Sequence, residues 1–212
     1  MLEGVEGAGK TTQVELLRHR FTQEGVSHTV SREPGGTAVG EGIRELLLER
    51  REMEISPETE LFLILAARAA FVREVVTPAL ARGEVVLADR FQLSTFAYQG
   101  FGRGLELEAV RTANRFATGG LSPDLTVLLD VPVLEGLGRQ RAMGKVRDRM
   151  EDGGQDFLRK VREGYRTLAR EEEDVVLLDG TLSSEAVHGR VVELLRTRFP
   201  GHFPETFTAS PG

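Results

Sequence analysis

Gly4-Val5-Glu6-Gly7-Ala8-Gly9-Lys10-Thr11 decides how the rest of this 212-residue chain is read, because it fills every fixed position of G-x-x-x-x-G-K-[ST]. The pattern asks for a loop almost free of side-chain bulk, so that consecutive backbone N–H groups converge on phosphate oxygens. Gly4, Gly7 and Gly9 accept backbone angles that a Cβ resists. Lys10 brings a cation for the β- and γ-phosphates, and Thr11 a hydroxyl for Mg²⁺. A helix starting here turns its partial positive end towards the same anion. The bland alternative is a chance glycine-rich turn.

The flanks bear on that choice. Downstream, Val14, Leu16, Leu17 and Phe21 recur at near-helical spacing across residues 12–24, and Gly25 suits the position just past a helix end. Upstream, only Met1, Leu2 and Glu3 are available for the preceding strand, where about five residues are usual. Either that strand is short or the true start lies upstream.

Further along, strands are expected at 26–31, 85–89, 125–130 and 175–179. The runs Val85-Val86-Leu87-Ala88-Asp89 and Leu125 to Asp130 are apolar and end in an acid, as in parallel strands buried on both faces. Helices are expected at 37–49, at 57–82 with Ser56 as cap and Pro78 bending or dividing the rod, and at 105–118, 133–143, 155–170 and 184–199. Residues 91–99 read as a short helix or loop, followed by a flexible link at Gly100, Gly102 and Gly104. Strands alternating with helices indicate an α/β fold, a parallel sheet covered on both faces. One domain is expected over 1–199, with a loose, turn-rich tail at 200–212.

The chain has 40% hydrophobic and 28% charged residues, with no membrane-length apolar run and no signal design at the N-terminus, so it is expected to be cytoplasmic and away from membranes. A net charge of −6 argues against a general nucleic-acid surface. There is no cysteine, and the four histidines (His19, His28, His188, His202) show no ligand spacing, so no zinc is assigned.

Three further groups carry chemistry. Asp89-Arg90 ends a strand, where an acid can hold Mg²⁺ through water and an arginine can reach phosphate; a surface ion pair is the alternative. The segment 139–149 packs five cations into eleven residues around Gly144, which suits a lid over a transferring phosphoryl group, where one arginine is worth on the order of 10³ to 10⁵ in rate. A solvated surface is the competing reading. Arg68, Ser94, Tyr98 and Gln99 suit a nucleotide base and sugar. Against this, Arg68 on an apolar helix reads equally as a structural salt bridge, and Tyr98 as core packing.

Glu3 through Gln13, then Arg32-Glu33-Pro34-Gly35-Gly36-Thr37, then Asp89-Arg90-Phe91, then Ser94 through Gly100, taken in this order, closely resemble bacterial thymidylate kinases. The match runs to about residue 199. The resemblance implies a three-layer P-loop NTPase fold with a five-stranded parallel sheet, a homodimer, and transfer of the ATP γ-phosphoryl group to dTMP with Mg²⁺, a step towards dTTP. It places ATP on Gly4, Val5, Glu6, Gly7, Ala8, Gly9, Lys10, Thr11 and Thr12, and the metal on Thr11 and Asp89. Glu6 would meet the sugar hydroxyl of dTMP, Arg44 and Arg90 its phosphate, Arg68 and Gln99 the thymine edge, and Tyr98 the deoxyribose; Pro34 and Ser94 complete that site. It also implies a cis Glu33–Pro34 bond. With Gly7 and Ala8 in the loop, the transition-state arginines would come from the lid (about 139–151): Arg141, Arg147 and Arg149, acting with Lys10, Asp89 and Arg90.

One departure stands out. The family's thymine-stacking phenylalanine falls on Ile64. Losing a ring worth about 1–3 kcal/mol weakens dTMP binding about 5- to 150-fold unless Phe62 or Phe71 compensates, and Phe62 lies two positions away on the wrong helix side. A kinase of relaxed base choice is therefore kept as the alternative. A P-loop ATPase or switch is a more distant one, since no Asn/Thr-Lys-x-Asp stretch for guanine is present.

Overall fold

The computed structural model describes residues 1–50, 52–144 and 153–203. From the N-terminus, β1 (Leu2–Glu3) runs through the glycine loop into α1 (Lys10–Gln23). β2 (His28–Arg32) is followed by α2 (Ala38–Leu48) and α3 (Pro57–Phe71). After α4 (Thr77–Ala81) come β3 (Val85–Asp89), α5 (Gln92–Thr95) and α6 (Leu107–Thr118). β4 (Thr126–Asp130), α7 (Val133–Ala142), α8 (Gly154–Glu171), β5 (Val175–Asp179) and α9 (Ser184–Arg198) complete the chain.

All five strands are parallel, in the order β2-β3-β1-β4-β5. β1 is two residues long yet central, pairing Leu2 with both Asp89 and Val127. The register aligns Arg32 with Asp89 and Asp130 with Asp179, so the C-terminal ends of the strands share one edge. β1 lies where the chain's path across the sheet reverses, the crevice in which such sheets take ligands. Thr126 to Leu129 are all buried, as the continuous apolar run foretold.

Side-chain caps start the helices where the sequence placed them. Thr37 accepts from Gly40 N–H, Ser56 from Thr59 N–H and Ser183 from Ala186 N–H. Pro78 divides its rod, through a wider turn: Val72–Val76 is π-helical, and Thr77 N–H donates five residues back to Val72 O. Proline has no N–H to continue the α ladder, and the π turn just ahead of it absorbs the misfit.

The expected flexible link after residue 99 is not one. Phe96–Gly102 forms a second π turn, and α8 crosses it closely. A Cβ on Gly102 would lie 2.6 Å from the Phe157 ring, and one on Gly164 would lie 2.6 Å from that of Phe101. These glycines serve contact between helices. Nor is the start of the tail loose, since Phe203 is buried with its ring centroid 5.1 Å from that of Phe21. Residues 204–212 lie outside the described set.

Candidate active site

The glycine loop is held from outside as well as by its own backbone. Gly4, Gly7 and Gly9 all have positive φ (139°, 73° and 96°). A Cβ on Gly7 would sit 2.2 Å from the Gly136 carbonyl oxygen, and one on Gly136 would sit 2.4 Å from that of Glu6. The start of α7 thus abuts the loop backbone to backbone. Arg139 adds a strut, donating to Gly180 O at 2.9 Å and Gly7 O at 3.4 Å while its other nitrogen meets Glu135. Sequence reading puts Arg139 in the basic segment and misses this role. Val5 and Ala8 are core side chains, so they offer a ligand only their backbone.

Lys10 is buried and donates to Gly4 O and Val5 O, both at 3.0 Å. Burial lowers its pKa, with the Arg90 charge adding to the effect and the Glu6, Asp89 and Glu3 carboxylates opposing it. Thr11 Oγ1 donates to Asp89 Oδ2 at 2.7 Å, which joins the two residues expected to hold the metal. Thr12 lies beside them, exposed on the first turn of α1.

Glu6, Pro34, Arg44, Ile64, Arg68, Arg90, Ser94, Tyr98 and Gln99 all line one pocket beside the loop. Glu33, Leu48 and Thr95 line it too and were not foreseen. A neighbouring trench runs over Lys10, Thr11 and Asp89 and shares Glu6, Glu33, Arg44 and Arg90 with the pocket. The Glu33–Pro34 peptide is cis, as the resemblance implied, and Arg44 donates to Pro34 O at 3.0 Å.

Arg90 stands at the junction. Among the described residues it is the one non-glycine with positive φ, 74°, which turns its side chain back over the end of β1. It donates to Gly4 O (3.1 Å), Ser94 Oγ (3.0 Å), Tyr165 OH (3.2 Å) and the Glu6 carboxylate, and its guanidinium lies 5.3 Å from the centre of the Tyr98 ring. Burial opposes its charge, and the Tyr98, Glu6, Tyr165 and Asp89 oxygens outweigh that. Beneath it Glu3, fully buried, accepts from Phe91 N–H (2.7 Å), Ser94 N–H (3.2 Å), the Ser94 hydroxyl and Tyr165 OH (3.0 Å). The Tyr165 pKa is pushed well above the ordinary 10.0 by burial and then by Glu3. By sequence alone Glu3 reads as strand, and Tyr165 as an α8 side chain with no motif around it.

Arg68 makes the salt bridge that its apolar helix left open. Its Nε donates to Glu33 (2.8 Å), Nη1 to Thr95 and Asn114 (both 2.8 Å), and Nη2 to Phe91 O (3.0 Å) while lying 2.7 Å from Glu33. Burial raises the Glu33 pKa against the pull of Arg68, and Glu33 Oε1 has no hydrogen-bond partner among the described residues. Neither ring proposed to replace the missing phenylalanine is here. Phe62 is 65% exposed on the far side of α3, and Phe71 is buried against Phe91. Among the described residues Tyr98 is the one aromatic lining the pocket. Arg141 is exposed near the end of α7, and Arg147 and Arg149 lie outside the described residues.

A glycine loop with its buried lysine and an adjoining pocket carrying Arg44 and Arg90 meet at the switch point of a parallel sheet, the arrangement of a P-loop phosphotransferase acting on a nucleoside monophosphate. The family model for thymidylate kinase matches residues 2–191. The chain is similar to the thymidylate kinase of Kosmotoga olearia, 47% identical over 203 residues that cover 94% of this chain and 97% of the relative. It is likewise 47% identical to that of Desulforudis audaxviator, over all of this chain and 95% of the relative. With the thymidylate kinase of Pseudomonas fluorescens it shares 48% over 92% of this chain and 93% of the relative. The chain belongs to the thymidylate kinase family. Among the described residues no helix is long and apolar enough to cross a membrane.

Proposed function

We infer that the chain transfers the γ-phosphoryl group of ATP to dTMP, giving ADP and dTDP. The observation that carries this is the set of residues common to trench and pocket, Glu6, Glu33, Arg44 and Arg90, which allows two phosphorylated ligands to lie end to end. ATP is held by backbone N–H groups of residues 4–12, with Lys10 exchanging its carbonyl partners for phosphate oxygens. Arg44 and Arg90 grip the dTMP phosphate. Glu6 faces the sugar hydroxyl, and Tyr98 fills the space a 2′-hydroxyl would need.

Gln99 reads the thymine edge. Arg68 backs that wall, and any bond it offers thymine O4 is bifurcated with one it already makes. Thr11 and Asp89, adjacent oxygen donors, suit Mg²⁺, which would neutralise charge on the phosphate oxygens. The lid cations Arg141, Arg147 and Arg149 supply charge to the transferring group. An exposed groove between α3 and α6, with Phe116 91% and Phe62 65% exposed and Leu65 and Ala113 on its walls, is the proposed homodimer face. We place the enzyme in the cytoplasm, where both nucleotides are available.

The test is a coupled ADP-release assay across dTMP, dUMP, AMP, CMP and GMP. The fastest turnover is expected on dTMP. A best rate on another base favours the relaxed kinase that Ile64 and the ring-poor pocket suggest. Hydrolysis that is equal with and without a monophosphate moves the chain to the ATPase class.

A further inference from the structure

Gln99 is fully buried and lines the acceptor pocket. Its side-chain Nε2 donates to Glu60 Oε1 at 2.9 Å, while its Oε1 is buried with no partner among the described residues. Glu60, 1% exposed on α3, is held by Arg103, whose Nε donates to Oε1 at 3.0 Å and Nη2 to Oε2 at 3.1 Å. Arg103 in turn lies 4.4 Å from the centre of the Phe157 ring, which anchors it from the α8 side. The amide of a glutamine is ambiguous in isolation, because either end can face a given partner. Here it is not. A carboxylate only accepts, so the NH₂ end must face Glu60 and the carbonyl oxygen must be the group left for a ligand.

We propose that Glu60 is a specificity-positioning residue: by locking the Gln99 amide it makes Gln99 an obligate acceptor, which admits a pyrimidine carrying N3–H and rejects one whose N3 is a lone pair. This rests on the assignment of the pocket to dTMP and names how that site separates thymine and uracil from cytosine. Thymine and uracil present N3–H to the Gln99 oxygen. Cytosine turns an N3 lone pair towards it, leaving two buried acceptors face to face. Selectivity thus comes from a residue placed behind the reading group. Removing its charge should free the amide to flip and offer NH₂ instead.

The experiment compares kcat/KM for dTMP, dUMP and dCMP in the wild type and in Glu60→Gln, which is close in shape and offers Gln99 either a donor or an acceptor. The dCMP:dTMP ratio is expected to rise on the order of 10- to 100-fold, the range over which a single well-placed hydrogen bond discriminates. The dUMP:dTMP ratio should stay within about threefold, because both bases carry N3–H. Loosening of the pocket would lift dUMP and dCMP together. Such a result, or an unchanged dCMP ratio, overturns the proposal.

Removing one charge of a buried pair is destabilising, whereas neutralising both is often tolerated. If Glu60→Gln does not fold, Glu60→Gln/Arg103→Gln carries the same measurement, and a raised or unmoved dCMP ratio decides in the same way. A wild type inactive on dTMP sinks the assigned function. A wild type active on dTMP beside a variant whose dCMP ratio does not move sinks this inference alone.

Discussion

Tyr165→Phe removes one oxygen from beneath Arg90 and tests whether the buried hydroxyl is part of the site's support. That oxygen donates to the Glu3 carboxylate at 3.0 Å and lies within hydrogen-bond distance of Ser94 Oγ (2.8 Å) and Arg90 (3.2 Å). A hydrogen bond to a charged partner contributes about 1.5–3 kcal/mol, so a loss of about 2 kcal/mol at pH 8 is expected. For a domain of this size that is about 4–8 °C in Tm.

The pH dependence carries the sharper content. The folded-state pKa of Tyr165 is raised above its ordinary 10.0, so the folded protein keeps the phenolic proton that the unfolded chain releases. The resulting stability is fully present below pH 10 and falls by about 1.4 kcal/mol per unit as pH rises above it. The wild type therefore loses its advantage over Tyr165→Phe progressively as the pH rises above 10. Lys10 titrates in the opposite sense, since its depressed pKa costs stability at neutral pH that returns as the solution becomes alkaline; it is common to both proteins and cancels in the difference. Denaturant unfolding at steps from pH 8 to pH 11 reads the gap. A gap of the same size at both ends would refute the reasoning, because the hydroxyl would then not be holding its proton against solvent.

Gly136→Ala places a methyl group 2.4 Å from the Glu6 carbonyl oxygen; it is expected to cost about 1–3 kcal/mol and to raise the KM for ATP more than that for dTMP, measured by steady-state kinetics. Arg90→Ala leaves Glu6 without its guanidinium and the pocket without its central cation. A fall in kcat/KM for dTMP of about 30- to 1,000-fold is expected, as for truncating one partner of a hydrogen-bonded, partly buried charge pair. Phe116→Asp replaces a ring that is 91% exposed on the proposed homodimer face with a carboxylate; if that face joins two copies, sedimentation shifts from dimer to monomer with an unchanged far-UV spectrum, and an unshifted dimer refutes the face. Arg147→Ala should lower kcat more than it raises the KM for dTMP, and an unchanged kcat removes it from the catalytic set.

The parallel sheet was legible because Val85 to Asp89 and Leu125 to Asp130 are continuous apolar runs, a pattern that two covered faces impose. Pocket residues were legible where local motifs carry them, as in Pro34, Arg90, Ser94 and Gln99, which sit in the cis-proline turn, just past the end of β3, in α5 and in the π turn that follows it. What stayed hidden arises across elements. Glu3, Tyr165 and Arg139 act through long-range contacts spanning from 41 to 162 residues of sequence, and nothing local marks those contacts. Gly100 and Gly102 were misread because glycine written as freedom and glycine written as close approach look alike until the facing helix is known. Arg68 was open on paper because a buried arginine always needs partners, and its helix does not say whether protein or ligand supplies them.

The site's cations share a design that connects these contacts. Lys10, Arg90 and Arg44 each donate to a main-chain carbonyl in or beside the site: Gly4 and Val5 for the lysine, Gly4 for Arg90, Pro34 for Arg44. Such a bond holds the charge in place with a neutral dipole, and an anionic phosphoryl oxygen adds full charge–charge attraction to the bond made by the same donor. Binding therefore trades one partner for a better one, with little reorganisation of solvent, which is the condition under which a buried charge acts most strongly on a reacting phosphate. Gly4 O accepts from both Lys10 and Arg90, so a single carbonyl joins the cation expected to serve ATP to the cation expected to serve dTMP. Their separation is then set by main chain that Gly136 abuts and by the Glu3 contacts that hold the segment after Arg90, and the in-line approach of two phosphates depends on that separation.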